Sequence, residues 1–424
     1  MLTTLKSHSL KWTYTSKKND SHHPLIFIYF FRSMKRILLF SFIFTLCCNL
    51  QAQVALPTLD SNATVSVITC GPGSDFYTTF GHTAIRICDT AMGIDIVYNY
   101  GSFDFNTDHF YLKFAQGRLN YYLSRDSYSN FIFDYAYEGR AVSEQVLKMT
   151  PQEKQNLFVL LETNYLPEYR YYLYDMFRDN CATRIRDVIN SALGHRTLFE
   201  EYTPKDAKSF RQLLYGYTQN SLQWWQLGID IVIGSRCDRP CSSFGYTFAP
   251  QELMLQLDTT RVSDTQEPLA MPAKTVLTDC QAPQKANVSP ILTFWVLLVI
   301  VVALTIISWK KLWTLRWLDI LLFCLDIIVA IVIIFLWFFS NHYCTKWNWN
   351  ILWASPLYLY FAVRGKKSAK WMVYAQLACF AALGIVALCG VQQFNAAILP
   401  IALMLFVRTI NLLRTETKQH NNRH

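Results

Sequence analysis

The sequence predicts an α+β exported domain followed by an all-α transmembrane domain of about five helices. The chain has 424 residues, of which 52% are hydrophobic and 16% charged, whereas soluble domains average about a quarter charged residues. A short apolar segment behind Lys35 and Arg36 is typical of a secretory signal, and long apolar segments recur after Pro290. This composition excludes intrinsic disorder as the main state, because disordered chains are poor in apolar residues. The length favours two domains.

The N-terminal region is predicted to direct export. Residues 1–33 show no regular period, and we interpret them as an upstream extension, with Met34 as the true start. Residues 34–52 form a signal peptide with a charged beginning and an apolar segment too short for a comfortable membrane span. Ala52 offers a small residue for cleavage. An uncleaved N-terminal anchor is the alternative interpretation.

Residues 60–255 are predicted to form the exported domain, which opens with strands. Segments 64–70, 82–88 and 94–100 have the composition of strands, and a Gly-Pro-Gly break follows the first of them. The second and third strands should pair as a hairpin. A turn centred between residues 90 and 91 would place His82 opposite Asn99, although a slip of one residue would reverse the faces.

Two helices are expected further along this domain. Residues 151–164 follow a Thr-Pro pair and carry Glu153 at capping-box spacing. Residues 181–193 place apolar side chains at helical intervals, with Asp179 or Asn180 as the N-cap and Gly194 as the stop. Cys181 therefore lies in the first turn of a helix.

Cys181 is a candidate nucleophile because of this position. The helix dipole and the charges of Arg178 and Arg184 should favour its thiolate. A nucleophilic thiol needs a base, for which His82 at the start of a strand is the natural candidate, and Asn99 could orient the imidazole. A single helical cysteine is more often a buried structural thiol, and a lone histidine more often a satisfied structural residue. The hypothesis of a nucleophilic thiol therefore rests on Cys181 and His82 together, because each lies where such chemistry would place it.

The remaining cysteines and the region before Pro290 give two further expectations. Cys237 and Cys241 could form a disulfide in an oxidising compartment, while no cysteine pair has the spacing of a structural zinc site. We predict no metal and no cofactor. Residues 256–289 lack periodicity and are interpreted as a flexible linker.

Residues 290–415 are predicted to form the transmembrane domain. Its five apolar segments cover about 291–309, 317–340, 351–363, 371–391 and 396–413. Basic residues follow the first, third and fifth segments: Lys310, Lys311, Arg316, Arg364, Lys366, Lys367, Lys370, Arg408, Arg414, Lys418 and Arg423. By the positive-inside rule these ends, including a tail at 416–424, are cytoplasmic. The exported domain then lies outside, as the signal peptide requires, and part of the +9 net charge is explained without nucleic acid.

Polar residues inside or beside the spans are the other candidates in this domain. Asp326 lies near the middle of the second span and is either functional or a hydrogen-bonded link between helices. The outer loop 341–350 is rich in Trp, which anchoring at the membrane interface explains. That role does not explain His342, Asn348 and Asn350, which would lie at the same membrane face as the exported domain.

Three motifs in combination resemble the periplasmic domain of the Lnb-type lipoprotein N-acyltransferases. They are residues 81–87 (GHTAIRI), 97–105 (VYNYGSFDF) and 179–184 (DNCATR). Residues 225–231 (WQLGIDI) and 234–239 (GSRCDR) are similar to later motifs of the family, and the multi-span tail with Asn348, Asn350 and Pro356 is also similar. The resemblance covers about residues 60–415. It implies a circularly permuted papain-like (NlpC/P60-like) fold, in which the histidine precedes the cysteine.

The resemblance also implies roles for individual residues. Cys181 would be the nucleophile and His82 the base. Asn99 would be the third member, with Tyr100 and Asp104 as competitors. The candidates for binding substrate are Arg178, Arg184, His342 and Asn348. The two arginines, with Lys346, could hold a lipid phosphate; solvated surface charges are the alternative interpretation of these three.

The activity implied by the resemblance is a transfer between two membrane lipids. An acyl chain would pass from a phospholipid donor, through a thioester on the cysteine, to the α-amino group of a diacylated lipoprotein acceptor at the outer face of the inner membrane. The main alternative is an NlpC/P60-like cysteine hydrolase acting on peptidoglycan peptides or lipids, because the same residues serve transfer and hydrolysis. A non-enzymatic sensor with an outer ligand domain is a further alternative. No motif supports nucleic-acid binding.

Overall fold

One antiparallel sheet organises the exported domain in the computed structural model. The structure describes residues 34, 56–75, 78–194, 196, 205–218, 222–281, 288–311, 313–364 and 370–421. The predicted extension at 1–33 and the signal peptide at 34–52 lie outside these residues, apart from Met34. The seven described strands, in their order across the sheet, are β6 (Tyr171–Leu173), β4 (Asn120–Ser127), β3 (Ile94–Ser102), β2 (His82–Asp89), β1 (Thr64–Cys70), β5 (Val142–Val146) and β7 (Lys274–Leu277).

The hairpin of β2 and β3 forms as predicted, but its register differs by two residues. Ile85 pairs with Tyr98, where the predicted turn would have paired it with Ile96. The turn is centred one residue later than expected, because Asp89 and Ile94 close it. A shift of two residues keeps every side chain on its original face. His82 and Asn99 therefore still share a face, with Asn99 opposite Ala84 when the register is continued.

Helices cover both faces of the sheet. On one face, α2 (Tyr128–Tyr137) packs Phe131 against buried side chains of four strands. On the other face lie α3 (Pro151–Tyr165) and α4 (Cys181–Ala192), and Asn164 of α3 donates a hydrogen bond to the Tyr100 hydroxyl at 2.7 Å. Each of these two helices begins with a capping box, as the sequence predicted for α3. The remaining helices are α1 (Phe110–Ala115), α5 (Phe210–Thr218), α6 (Gln223–Val232), α7 (Ser243–Tyr246) and α8 (Pro250–Thr259).

The predicted linker at 256–289 is partly ordered structure, so that expectation needs correction. Its first residues complete α8, and β7 pairs with β5 at the edge of the sheet, with Lys274 opposite Glu144. A four-residue edge strand with only partial burial is too short to produce a recognisable period. Residues 256–259 and 274–277 therefore belong to the folded domain and not to a flexible linker.

The C-terminal domain is helical. Its helices are α9 (Pro290–Lys311), α10 (Arg316–Phe338), α11 (Leu357–Arg364), α12 (Lys370–Leu388) and α13 (Ile398–Asn421). By length and composition, α9, α10 and α12 are able to cross a membrane, and 398–413 is the apolar part of α13. The described part of the predicted tail at 416–424 continues α13.

The third predicted span is not one long helix. A 3₁₀ turn at Trp349–Leu352 precedes α11, which has only eight residues. Pro356 has no N–H to offer to a longer helix. The N–H of Ser355 donates instead to Oδ2 of Asp326 in α10, at 3.0 Å. Of the two roles considered for Asp326, the structure thus places it in a link between membrane helices.

Polar contacts join the two domains, and Thr58–His424 forms one compact unit. The N–H of Gly234 donates to the carbonyl of Cys344 at 2.7 Å, and the N–H of Ser235 donates to the carbonyl of Trp347 at 3.0 Å. A β-carbon on Gly234 would lie 2.1 Å from the carbonyl oxygen of Lys346. The absence of a side chain at Gly234 therefore permits this close approach of two backbones.

A buried acid completes the junction. Asp230 forms an ion pair with Arg211 at 2.7 Å, and both side chains are fully buried. The second oxygen of Asp230 accepts a hydrogen bond from Asn395 at 2.9 Å, and its backbone carbonyl accepts one from Asn350 at 2.9 Å. The 225–231 motif and the Asn348-Trp-Asn350 motif are therefore two sides of the same interface.

The expected disulfide between Cys237 and Cys241 is not formed. Both thiols are free, and that of Cys237 donates instead to the carbonyl oxygen of Cys344, 3.7 Å away. The 3₁₀ turn at Ser235–Asp238 directs Cys237 toward the outer loop. Sequence spacing alone did not reveal this direction.

Candidate active site

The helix α4 presents Cys181 as its first residue. The side chain of Asn180 caps the helix by accepting the N–H groups of Ala182 and Thr183, each at 2.9 Å. The amide nitrogen of Asn180 donates to the carbonyl of Phe248 at 2.7 Å, which ties the cap to another part of the domain. Side-chain caps of this kind stabilise helix N-termini. The thiol is therefore carried on a firmly positioned turn.

The thiol of Cys181 lies against the beginning of β2. Its sulfur accepts a hydrogen bond from the backbone N–H of Thr83, the residue after His82. The ladder between β2 and β3 starts only at Ile85 and Tyr98, so this end of β2 is open toward α4. Gly101, with φ of +93°, lies beside the thiol, because a β-carbon there would be 3.6 Å from that of Cys181. The fold thus places the thiol of Cys181 beside the backbone of the residue that follows His82.

Asn99 orients His82. The Nε2 atom of His82 lies 3.2 Å from Oδ1 of Asn99. An amide oxygen only accepts hydrogen bonds, so Nε2 carries the proton and Nδ1 is the basic nitrogen. Tyr100 and Asp104, the competitors for this position, make other contacts. The hydroxyl of Tyr100 accepts a hydrogen bond from Asn164 of α3, and exposed Asp104 accepts a backbone N–H in its own turn.

Burial keeps both reactive groups neutral at rest. Burial lowers the pKa of His82 to about 4, and the nearby charge of Arg140 lowers it further, while the bond to Asn99 opposes both effects. Burial raises the pKa of the Cys181 thiol, against the three backbone N–H groups that favour the thiolate. The expectation that the helix terminus favours the thiolate is therefore corrected, because desolvation outweighs it.

Tyr172 is a residue of the site that the sequence analysis missed. Its hydroxyl lies 3.9 Å from the β-carbon position of Gly101, the same position that contacts Cys181. The side chain is 8% exposed, and among the described residues its hydroxyl has no hydrogen-bond partner. Burial raises its pKa well above the ordinary value, so the hydroxyl stays protonated and able to donate. The run Tyr-Tyr-Leu-Tyr around it gave no sign of which ring faces the thiol.

The comparisons with known proteins bear on both domains. Residues 51–215 match the model of the Lnb N-terminal periplasmic domain, and residues 282–420 match that of the Lnb transmembrane domain. The two matches cover most of the chain, in the order that the family requires. The chain belongs to the Lnb family. No curated protein and no solved structure matches it.

Membership of the Lnb family fixes the general setting of the site. The protein is a membrane protein with a periplasmic N-terminal part, and its role is in membrane-associated lipoprotein processing. Cys181, His82 and Asn99 all lie within the range that matches the Lnb periplasmic domain. Among the described residues, no group of three His, Cys, Asp or Glu side chains is arranged to hold a metal ion.

The two arginines predicted to hold a lipid phosphate differ in their surroundings in this Lnb-family protein. Arg184 forms a double hydrogen bond with Asp179 at 2.6 and 2.8 Å, and its guanidinium lies 3.7 Å from the ring centre of Tyr172. This pairing offsets its charge and fixes the tyrosine beside the thiol. Arg178 is exposed and stacks on Tyr343 at 3.4 Å. Arg178 alone of these two thus remains open to a ligand.

The structure places His342 and Asn348 in the junction of the Lnb domains. His342 donates through Nε2 to the carbonyl of Phe114 at 2.9 Å and thereby holds α1. Asn348 is fully buried, donates to the carbonyl of Ile231 at 2.7 Å and accepts from Asn350 at 3.0 Å. A fully buried amide with these partners is not accessible to substrate. We therefore replace the predicted substrate contact of Asn348 with a structural role.

Proposed function

We propose that this protein is a lipoprotein N-acyltransferase of the inner membrane. It transfers an acyl chain from a glycerophospholipid, through a thioester on Cys181, to the α-amino group of a diacylglyceryl-cysteine at a lipoprotein N-terminus. The observation that carries the proposal is the arrangement of Cys181, His82 and Asn99 in a domain joined to membrane helices. No cofactor takes part.

The first half-reaction forms the thioester. Nδ1 of His82 accepts the thiol proton as the sulfur attacks the ester carbonyl of the donor lipid. The carbon–oxygen bond to glycerol then breaks, and the imidazolium returns the proton to the departing alkoxide. Lysophospholipid leaves, and the acyl chain stays on Cys181. Because both groups are neutral at rest, proton transfer accompanies attack rather than preceding it.

The second half-reaction uses the same residues in the opposite order. The uncharged α-amino group of the acceptor attacks the thioester, and His82 takes a proton from the nitrogen. The carbon–sulfur bond breaks, and the proton returns to the sulfur. The product is an amide on a triacylated lipoprotein, and the enzyme is restored.

Tyr172 is the donor that we assign to the oxyanion. Each tetrahedral intermediate places negative charge on the former carbonyl oxygen, which needs hydrogen-bond donors already in position. A buried hydroxyl without a partner beside the nucleophile meets this need. The Arg184 guanidinium, which is paired with Asp179, packs on the face of the Tyr172 ring and holds it in place.

A row of aromatic rings supplies a path for the acyl chain. Tyr174 lies beside Gly101 and stacks on Tyr121 at 4.4 Å, Tyr121 contacts Phe103 at 5.3 Å, and Phe103 contacts Phe110 of α1 at 5.8 Å. Helix α1 lies next to the loop that follows α10, through the bond from the N–H of Asn341 to the carbonyl of Gln116. This row of rings thus runs from the periplasmic surface of the membrane to the thiol.

The surroundings of the thiol favour transfer over hydrolysis. Cys181 is only 7% exposed, and aromatic rings flank it. A thioester formed there meets little water, while an amine anchored in the same membrane reaches it at high effective concentration. A soluble hydrolase would have no need of the attached membrane helices.

The test is mass spectrometry of a lipoprotein N-terminal peptide from cells that lack their own N-acyltransferase. Wild type should add a third acyl chain, and Cys181→Ala should add none. Cys280→Ala is the matched control, because that thiol is exposed and lies in the same domain; it should behave as wild type. A peptide left diacylated by well-expressed wild type would contradict the proposal and favour a hydrolase.

A further inference from the structure

A cavity of about 430 Å³ lies between the periplasmic domain and the loop that follows α10. Arg178, Arg236 and Arg239 line it, together with Tyr343 of the loop. Tyr343 follows shortly after the end of α10 at Phe338. The cavity therefore lies near the periplasmic surface of the membrane that the helices span, where lipid headgroups are found.

The charge inside this cavity is not balanced by the protein. The guanidinium carbons of Arg178 and Arg236 lie 3.4 Å and 4.9 Å from the centre of the same Tyr343 ring. Two like charges held against one ring repel each other, and an anion bound near both would offset that repulsion. Among the described residues, no carboxylate forms an ion pair with Arg178, Arg236 or Arg239.

The acids nearest in sequence are occupied elsewhere. Asp238, between the two arginines of the 234–239 motif, is bound by buried Arg211 at 2.6 Å. One oxygen of Asp175 accepts the backbone N–H groups of Phe177 and Arg178, both at 3.0 Å. Asp179, next to Arg178, is likewise paired with Arg184 at 2.6 Å. Asp175 keeps its charge, and its other oxygen accepts the N–H of Tyr343 at 3.4 Å, so the arginines of the cavity outnumber the one carboxylate beside them.

We propose that this cavity binds a phosphate ester. Guanidinium groups form a planar fork that matches the oxygens of phosphate, so several of them around one cavity form a phosphate site. The phosphate group can come from a lipid headgroup or from free phosphate. The lipid source rests on the proposed function and would be the acyl donor. Thr183, on the first turn of α4, lines the same cavity, so the cavity adjoins the helix that carries Cys181.

The test measures binding to the full-length Cys181→Ala protein in detergent micelles, so that no lipid is consumed. The probes are short-chain phosphatidylglycerol, the diacylglycerol of the same chains, and inorganic phosphate. We expect phosphatidylglycerol to bind at least about tenfold more tightly than diacylglycerol, because a charge-assisted hydrogen bond contributes about that factor. Adding Arg236→Gln and Arg239→Gln should remove this preference. Arg261→Gln, at an exposed arginine outside the cavity lining, should leave it unchanged.

Two further measurements separate the outcomes. Paired Arg236→Lys and Arg239→Lys substitutions keep the charge and should retain most of the binding, and thermal unfolding should show that the Gln variants fold. Arginine-dependent binding of inorganic phosphate as tight as that of the lipid would support the site and assign it to a free anion. Two results would overturn the proposal. One is that folded Gln variants bind every probe as tightly as the Cys181→Ala protein does, and the other is that neither phosphate probe binds at all. Because Cys181→Ala is inactive by design, this result is independent of acyl transfer.

Discussion

At the scale of single residues, burial acts in opposite directions on His82 and Cys181. It lowers the pKa of the imidazole and raises that of the thiol, so neither group is charged near neutral pH. These shifts disfavour a preformed thiolate–imidazolium pair, so in the proposed mechanism His82 acts as a general base during attack. Arg140, whose guanidinium donates to the Gly71 carbonyl at 2.8 Å, adds to this effect through its charge.

The first prediction concerns pH. A base must be unprotonated to act, and a lowered pKa moves the loss of activity to lower pH. With the pKa of His82 at about 4, thioester formation in a single turnover should change little between about pH 6 and about pH 8, where an ordinary histidine would lose activity. A rate that falls to half near pH 6.5 would contradict a buried neutral imidazole.

The second prediction concerns the oxyanion. Tyr172→Phe keeps the ring and its contact with Arg184 but removes the hydroxyl. We expect kcat to fall about a hundredfold with little change in KM, because the donor acts only in the transition state. Tyr171→Phe is the control, since its side chain is 50% exposed, and it should retain full activity. An unchanged kcat in Tyr172→Phe would remove Tyr172 from the mechanism.

At the scale of elements, the site is a meeting of α4 with the open end of β2. The Asn180 cap stabilises the start of α4. The turn closed by Asp89 and Ile94 fixes the register of β2 and β3, and this register decides which of their side chains face α4. The outer loop at 341–350 then supports the site from the membrane side, since it holds α1 through His342 and receives the 234–239 motif. Contacts between loops therefore decide how the site faces the membrane.

The third prediction tests this junction. Gly234→Ala places a methyl group 2.1 Å from the carbonyl oxygen of Lys346 and 2.9 Å from the backbone nitrogen of Asn348. Backbone atoms cannot move aside as a flexible side chain can, so we expect a loss of about 1–3 kcal/mol of stability and impaired acyl transfer. Thermal unfolding and the peptide assay measure the two effects.

The control for this prediction is another glycine. Gly216 lies in α5 with open space around it, so Gly216→Ala should be neutral or stabilise by about 0.5–1 kcal/mol. Equal unfolding temperatures for the two variants would show that the junction accommodates a side chain and would contradict the role of Gly234.

At the scale of the whole molecule, contacts and charges agree on orientation. The periplasmic domain contacts the loops after α10 and α12, through Trp347 and Asn395. The basic residues lie at the opposite ends of the helices, for example Lys311, Arg316 and Arg364. The positive-inside rule assigns those ends to the cytoplasm. On this topology the short α11 and the turn before it cross the membrane together.

The fourth prediction tests that crossing. A green fluorescent protein fused after residue 421 should fluoresce, and alkaline phosphatase fused there should be inactive, because the positive-inside rule predicts a cytoplasmic C-terminus. The same reporters fused at Gln393, in the loop that contacts the periplasmic domain, should give the opposite pattern. Active phosphatase after residue 421 together with an inactive phosphatase at Gln393 would mean that α11 does not complete a crossing.

The sequence by itself determined the local elements and indicated the candidate reacting pair, Cys181 and His82. Strands β1 to β3, the capping box of α3, the cap of α4 and the apolar helices follow from periodicity and from residues close together in the chain. A thiol at a helix start and a histidine at a strand start are likewise local signals. Short-range backbone geometry fixes these features, so a single sequence is enough to reveal them.

Only the tertiary structure decided which distant groups share a site. The hairpin register, the partner of the Cys237 thiol, the edge strand β7 and the short α11 all depend on contacts between residues far apart in the chain. So do the hydroxyl of Tyr172, which has no partner among the described residues, and the cavity lined by arginines beside Tyr343. Spacing along a chain does not encode such encounters, because packing brings these groups together and burial then sets their charge.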